Sequence, residues 1–363
     1  MSLVALLELR GAGGEPMDLR RTLRSHGVAE LPPMSVSADG LSATVTLTAA
    51  DGARTVRIGQ AQSDAAREPR RPPSGTGDEA AARPTGGSAT RAGVPLLSVT
   101  VADVGPPPGG AATASLIASV RRMLCLDDDL SHFYERIAGD EALAWATRGA
   151  GRLLRSPTVF EDVVKTVCTT NCAWSATERM VGALVGRLGE PAPGAPPGDV
   201  AGRAFPSPAA MAAAGDDFYA GVARAGYRGP YLREIARRVA DGELDLEELL
   251  VTSGAGLTDD EVERRLLALP GVGPYAAAHV MLLLGRHSRL VLDAWTRPKY
   301  ARLLGKPAGR LVADRTIARR FGRYRGYAGL AFWLFLTRDW VDDGGDAAGR
   351  RPDRLSTGEP PAP

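Results

Sequence analysis

LLALPGVGPYAAAHVMLLLG, residues 266–285, is the stretch on which the fold turns. Apolar residues recur at helical spacing on both sides of a five-residue interruption, Leu269-Pro270-Gly271-Val272-Gly273. This pattern predicts two helices joined by a very short turn, one over 257–269 and one over 274–284. Glycines in the turn permit positive φ and close approach of another backbone. The N–H groups at the start of the second helix have no partner within it and lie at the positive end of its dipole. A phosphate oxygen fits such a place, so the turn is able to grip a nucleic-acid backbone without reading sequence. An αα-turn simply capped by glycine has the same local sequence.

Downstream, RLVLDAWTR (289–297) sets one acid, Asp293, between apolar residues and Ala294-Trp295. A carboxylate in such surroundings is costly unless it is paired or hydrogen-bonded. Asp293 reads as the N-cap of a helix beginning near Trp295, as a catalytic carboxylate, or as both, since a helix start favours a negative charge. The chain then turns basic, with Arg297, Lys299, Arg302, Lys306, Arg310, Arg315, Arg319, Arg320, Arg323 and Arg325 set against Asp314 alone. Overall, 44 Lys and Arg against 42 Asp and Glu leave a net charge of +2, so any positive face is local.

Upstream of the hairpin the pattern is also helical. Ser156-Pro157 reads as an N-cap with Pro at N1, followed by an apolar face of Val159, Phe160, Val163, Val164, Val167 and Cys168. A second helix after Asn171 carries Trp174, Met180, Val181, Leu184, Val185 and Leu188. Others are expected from Ser207-Pro208, over 230–240, and, beyond the hairpin, over 311–321 and 326–338. The first hundred residues differ. Residues 2–11 read as a strand, Asp18 opens a helix that runs to Gly27, and LSATVTLTA (41–49) and ARTVRIGQA (53–61) form a hairpin around Asp51-Gly52. PLLSVTVADV (95–104) resumes the sheet. Residues 62–93 contain no large apolar side chain and are expected to be a disordered insertion. The expected organisation is therefore α+β: a small antiparallel-sheet domain over 1–104, an all-α bundle over 111–341, and a disordered tail over 342–363.

Three cysteines, Cys125, Cys168 and Cys172, do not suggest a disulfide framework. Two thiols without a nearby histidine make a poor zinc site, and three cannot supply the four ligands of an iron–sulfur cluster. No run approaches the length of a membrane span, and the N-terminus lacks the basic start of a signal peptide. A cytoplasmic, nucleoid-associated monomer is expected, without a membrane partner.

Taken together, LPGVGPYAAAHVMLLLG and the Asp of VLDAWTR resemble the signature of the helix-hairpin-helix DNA glycosylase superfamily. SPTVFEDVVKTVCTTNCAWSATERMV (156–181) and GYRGPYLREIARRVADGELDLEEL (226–249) are similar to its flanking helices. DLRRTLRSHGVAELPP (18–33) resembles the N-terminal domain of the 3-methyladenine glycosylase II branch. The resemblance implies a base-excision repair enzyme on damaged double-stranded DNA, which flips an alkylated base and hydrolyses its glycosidic bond with Asp293. It places Asn171 where the family inserts a residue into the gap, and Leu269, Gly271, Val272, Gly273 and Arg297 against DNA. Tyr275 stands where members with lyase activity carry a lysine, which implies hydrolysis without strand cleavage. Tyr275 reads either as a stacking surface for the base or as a packing aromatic, and Trp174 either as a pocket wall or as core. Asn171 resembles the 8-oxoguanine branch instead, so release of an oxidised purine is an alternative, as is a non-catalytic DNA-binding role. Hairpin carbonyls in the family commonly hold a monovalent cation. Such ligands leave no trace in the sequence, and no metal or other cofactor is assigned.

Overall fold

The computed structural model describes residues 2–61, 94–250 and 256–341. The expected disordered insertion over 62–93 and the tail over 342–363 lie outside the described residues. Five strands form one antiparallel sheet: β1 (Ser2–Glu8), β2 (Met34–Val36), β3 (Ser42–Ala49), β4 (Gly52–Gln60) and β5 (Leu96–Val101), in the order β1-β5-β4-β3-β2. Alternation creates its inner face, where Ala43, Val45, Leu47, Val56, Ile58, Leu97, Val99 and Val101 are buried. In the β3–β4 hairpin the closing pair is Ala49 and Gly52, so Ala50-Asp51 form the turn and Gly52 takes φ 112°. The turn thus sits one residue earlier than the sequence predicts, and the Asp51 carboxylate pairs with buried Arg54 at 2.6 Å.

Helix α1 (Leu19–Leu23) starts as expected, with Asp18 accepting the Arg21 N–H at 3.0 Å. It stops well before Gly27. Tertiary bonds take the following residues out of the helix: Ser25 accepts the N–H of Leu154 on its hydroxyl and the indole N–H of Trp333 on its carbonyl, while a His26 ring nitrogen meets the Leu154 carbonyl. Helix α2 (Gly110–Met123) lies beyond the boundary expected from sequence, yet Leu116, Val120 and Met123 pack into the core of the sheet.

The rest is helical: α3 (Ser131–Ile137), α4 (Val159–Thr169), α5 (Trp174–Leu188), α6 (Pro208–Ala213), α7 (Arg228–Ala240), α8 (Asp259–Leu267), α9 (Pro274–Leu283), α10 (Thr296–Leu303), α11 (Asp314–Phe321) and α12 (Ala328–Thr337). The N-cap of α4 is Thr158, whose hydroxyl accepts the Glu161 N–H. Ser156 precedes it and donates its own N–H to Asp162 at 2.8 Å. Helix α11 begins three residues later than expected. Cys172 lies past the end of α4, and all three cysteines are free. Among the described residues no helix is long and apolar enough to cross a membrane.

Two apolar cores flank α9. Ala276, Ala277, Val280, Met281 and Leu284 face the core shared with α4, α5, α7 and α8, while Ala278, Leu282 and Leu283 face that of α3, α11 and α12. Being apolar all round, α9 is the central post of the bundle. Behind it, residues 286–293 run as a strap to Asp293. Arg286 and Arg289 anchor this strap to Asp259 and Glu263 of α8 at 2.9 and 2.7 Å. Gly329 of α12 donates its N–H to the His287 carbonyl at 2.7 Å, and a Cβ on Gly329 would lie 2.0 Å from the Arg289 carbonyl oxygen. Gly329→Ala is therefore expected to destabilise the fold. Overpacking of about 3 kcal/mol outweighs the gain of about 1 kcal/mol in helix propensity. A lowered urea midpoint checks this, and an Ala variant as stable as the wild type would refute it.

Candidate active site

Asp293 ends the strap and starts α10. Its Oδ1 accepts the N–H groups of Trp295 and Thr296 at 2.9 and 2.6 Å, and its own N–H donates to the Thr296 hydroxyl at 2.8 Å. The two residues cap each other reciprocally, as in a capping box. Thr296 is fully buried and Asp293 half-buried. Both backbone donors use one oxygen. Among the described residues no protein group donates to Oδ2, which leaves that oxygen for a ligand or water. The cap thus fixes the direction of the carboxylate.

Tyr275 occupies the first turn of α9, half-buried, with its hydroxyl 3.3 Å from the Thr169 hydroxyl. Burial, and after it the negative charge of Asp293, push the phenol up to about 12. The same charge reaches Arg297, whose pKa is raised chiefly by its hydrogen bonds to Asp314 and also by Asp293. Asp293 therefore lies within electrostatic reach of Tyr275 on one side and Arg297 on the other. The Arg297 guanidinium is held by both Asp314 oxygens at 2.8 and 2.9 Å, so it meets a phosphate only by exchanging that partner.

Sequence reading missed the rings that complete the site. His279, one turn along α9 from Tyr275, stacks on it at 6.1 Å and 26°. Trp333 meets His279 edge-on at 6.1 Å and contacts Trp295 and Trp340 at 5.9 and 6.1 Å. The row from Tyr275 through His279 and Trp333 ends at Trp295, two residues from the carboxylate. The spacing of His279 from Tyr275 was a signal, because residues four apart share a helix face. Trp333 and His26 carry no local signal. Trp174 stands apart: it is half-buried against the α4–α9 core with its indole N–H on Glu178 at 2.9 Å. Among the described residues no ring contact or hydrogen bond joins it to Tyr275 or Asp293.

The hairpin turn has the expected form. Gly271 takes φ 77°, and a Cβ there would meet the Tyr231 ring at 2.7 Å. Gly273 caps α9, whose first internal bond runs from the Ala277 N–H to the Gly273 carbonyl, so the N–H groups of Tyr275 and Ala276 precede the helical ladder. Leu269 and Val272 are buried, and their N–H groups bond the Leu266 and Leu269 carbonyls at 3.0 and 3.2 Å, so neither residue presents a side chain or a free donor to DNA. A monovalent cation would find only backbone oxygen here, which suits such an ion.

Asn171 sits exposed between α4 and α5 at φ 45°, with its side-chain N–H donating to the Tyr227 hydroxyl at 3.4 Å. Tyr227 and Tyr231 are 52 and 37 % exposed and pack edge-on. With Gly271 against Tyr231, an exposed aromatic ridge joins Asn171 to the hairpin, a feature sequence reading did not single out. In the basic stretch, Arg297, Lys299 and Arg323 pair with Asp314, Asp339 and Asp140. Lys306, Arg310, Arg315, Arg319 and Arg325 are exposed.

No protein-family model matches the chain, and a search of curated proteins gave no match. Solved structures do match. The 3-methyladenine DNA glycosylase from Archaeoglobus fulgidus aligns with a TM-score of 0.61 at 19 % identity, over 93 % of this chain and 99 % of that one. The apo 8-oxoguanine glycosylase/lyase of Clostridium acetobutylicum aligns with a TM-score of 0.59 at 17 % identity, over 94 % of this chain and 100 % of that one. The same clostridial enzyme in complex with double-stranded DNA aligns with a TM-score of 0.58 at 17 % identity, over 93 and 99 %. The chain thus has the fold of the helix-hairpin-helix DNA glycosylases, with its α+β organisation as expected.

Proposed function

We propose that this protein is a monofunctional DNA glycosylase of base-excision repair, acting as a monomer on damaged duplex DNA. The observation that carries this is the Asp293 carboxylate, with Oδ1 pinned by two backbone N–H groups, Oδ2 without a donor among the described residues, and its charge felt by Tyr275. Such a preorganised charge stabilises an oxocarbenium ion as the C1′–N bond breaks. Water then adds its oxygen to C1′ and loses a proton, to the base where that leaves as an anion and to solvent where a cationic nucleotide releases a base already neutral. The hairpin and the Asn171–Tyr227–Tyr231 ridge offer a phosphate grip and a wedge for a flipped nucleotide.

The lysines support hydrolysis without strand cleavage. The sequence has three, and none stands at Tyr275. Lys165 is buried in a pair with Glu161 at 2.6 Å, Lys299 is paired with Asp339, and Lys306 lies in the loop after α10. An alkylated, cationic base is the substrate class implied by the sequence resemblance, since such a base leaves without an acid. A second reading, an oxidised purine, is favoured by Asn171 and by the neutral imidazole of His279 behind Tyr275.

The test is base release from duplex oligonucleotides bearing alkylated adenine, hypoxanthine or 8-oxoguanine opposite cytosine, read with and without alkali. Strand breaks only after alkali are expected. Breaks without alkali would mean a lyase. DNA binding with no release from any lesion would mean a non-catalytic binder.

A further inference from the structure

His279 is 3 % exposed, and among the described residues neither of its ring nitrogens has a hydrogen-bond partner. Leaving a buried donor or acceptor bare costs about 1–3 kcal/mol, a cost that a phenylalanine in the same space would not carry. Its neighbours are rings: Tyr275 parallel at 6.1 Å, Trp333 edge-on at 6.1 Å, and His26 edge-on at 5.5 Å. His26 is equally buried, with Nε2 2.7 Å from the Leu154 carbonyl oxygen. A carbonyl only accepts, so Nε2 carries the proton and Nδ1 is left as an acceptor. That Nδ1 is also without a partner. Burial lowers His279 to about 3 and His26 to about 4, so both rings are neutral at pH 7. The pair therefore holds one N–H and two lone-pair nitrogens unused, with rings around His279 and a cavity beside His26 that Glu161, Asp162 and Lys165 also line.

We propose that His279, backed by His26, selects the flipped base by reading a lactam edge, an N–H beside a C=O. The His279 N–H donates to the carbonyl, and an imidazole nitrogen accepts from the base N–H. Charge that develops on a neutral leaving base is then met by a fixed donor. A cationic alkylated adenine has no carbonyl to accept from that donor, which would face its positive charge. Tyr275 has to tilt aside to admit the base, and the 3.3 Å contact with Thr169 is its one hydrogen bond among the described residues. Lactam edges occur on deaminated purines such as hypoxanthine and on oxidised purines such as 8-oxoguanine. This inference rests on the proposed base release at Asp293.

Single-turnover release of hypoxanthine, 8-oxoguanine and 3-methyladenine from duplex oligonucleotides, by wild type and His279→Phe, tests it. The wild type is expected to favour one or both lactam bases, and which of the two it releases identifies the source. In His279→Phe the ratio of lactam to 3-methyladenine release should fall on the order of 100-fold. The melting temperature should hold or rise, which separates selection from a structural role. Equal losses on all bases, an unchanged ratio, or a wild type that releases only 3-methyladenine would each overturn the inference while the glycosylase reading stands. No release of any base by the wild type would overturn both. His279→Gln, which restores a donor and an acceptor, should recover part of the ratio.

Discussion

Asp293→Asn is expected to slow base release on the order of 1000-fold and to leave the fold intact. The asparagine Oδ1 can still accept from the Trp295 and Thr296 N–H groups that hold the aspartate, and the Thr296 hydroxyl still accepts from the backbone of residue 293. What disappears is the negative charge that faces the developing cation. The cap is kept, so the melting temperature should hardly move, since asparagine and aspartate are about equal as N-caps. Single-turnover kinetics with excess enzyme, beside a thermal melt, separates the two effects. If the Asn variant releases base at the wild-type rate, Asp293 is only a helix cap and the mechanism lies elsewhere.

The second large effect is on stability in acid. His26, His279 and His287 are buried, and burial lowers them from 6.5 to about 4, about 3 and about 4. Below pH 6.5 the unfolded chain takes up protons at these positions while the folded chain does not. Unfolding therefore binds protons, and stability falls as the pH falls. Asp162 works the other way: burial raises it to about 6, so between pH 6 and 3.8 the folded state holds a proton that the unfolded state gives up. Three protons against one leave a net loss of about 3 kcal/mol per pH unit in the window below pH 6 and above the folded histidine values. Urea midpoints at pH 7, 6 and 5 should show it, with the slope reduced by about one third to one half in His279→Phe. A midpoint that stays constant from pH 7 to pH 5 would refute the buried-neutral assignment of the histidines.

Much of this follows from short-range chemistry. The strands β3, β4 and β5 announce themselves by alternation over eight or so residues, and α9 by an unbroken apolar run behind Gly273-Pro274. The hairpin glycines and Asp293 are legible for the same reason: a tight turn and a helix cap are made by residues within three or four places of one another. Even the dual reading of Asp293 is local, since its Oδ1 partners are the next two backbone N–H groups after Ala294.

Where the sequence misled, a distant contact had displaced a local preference. Helix α1 has the residues to reach Gly27, but bonds from Ser25 and His26 to Leu154 and Trp333 end it at Leu23. Ser156-Pro157 looks like a helix start, but Asp162 holds the Ser156 N–H and the cap moves to Thr158. The sequence by itself determined the α+β order, the hairpin and the place of Asp293 at the start of a helix. Tertiary structure alone decided which rings gather behind Tyr275 and His279: His26 and Trp333 come from opposite ends of the chain. Their meeting depends on how the sheet and the bundle pack around α9, and no periodicity or motif records a contact whose partners lie hundreds of residues apart.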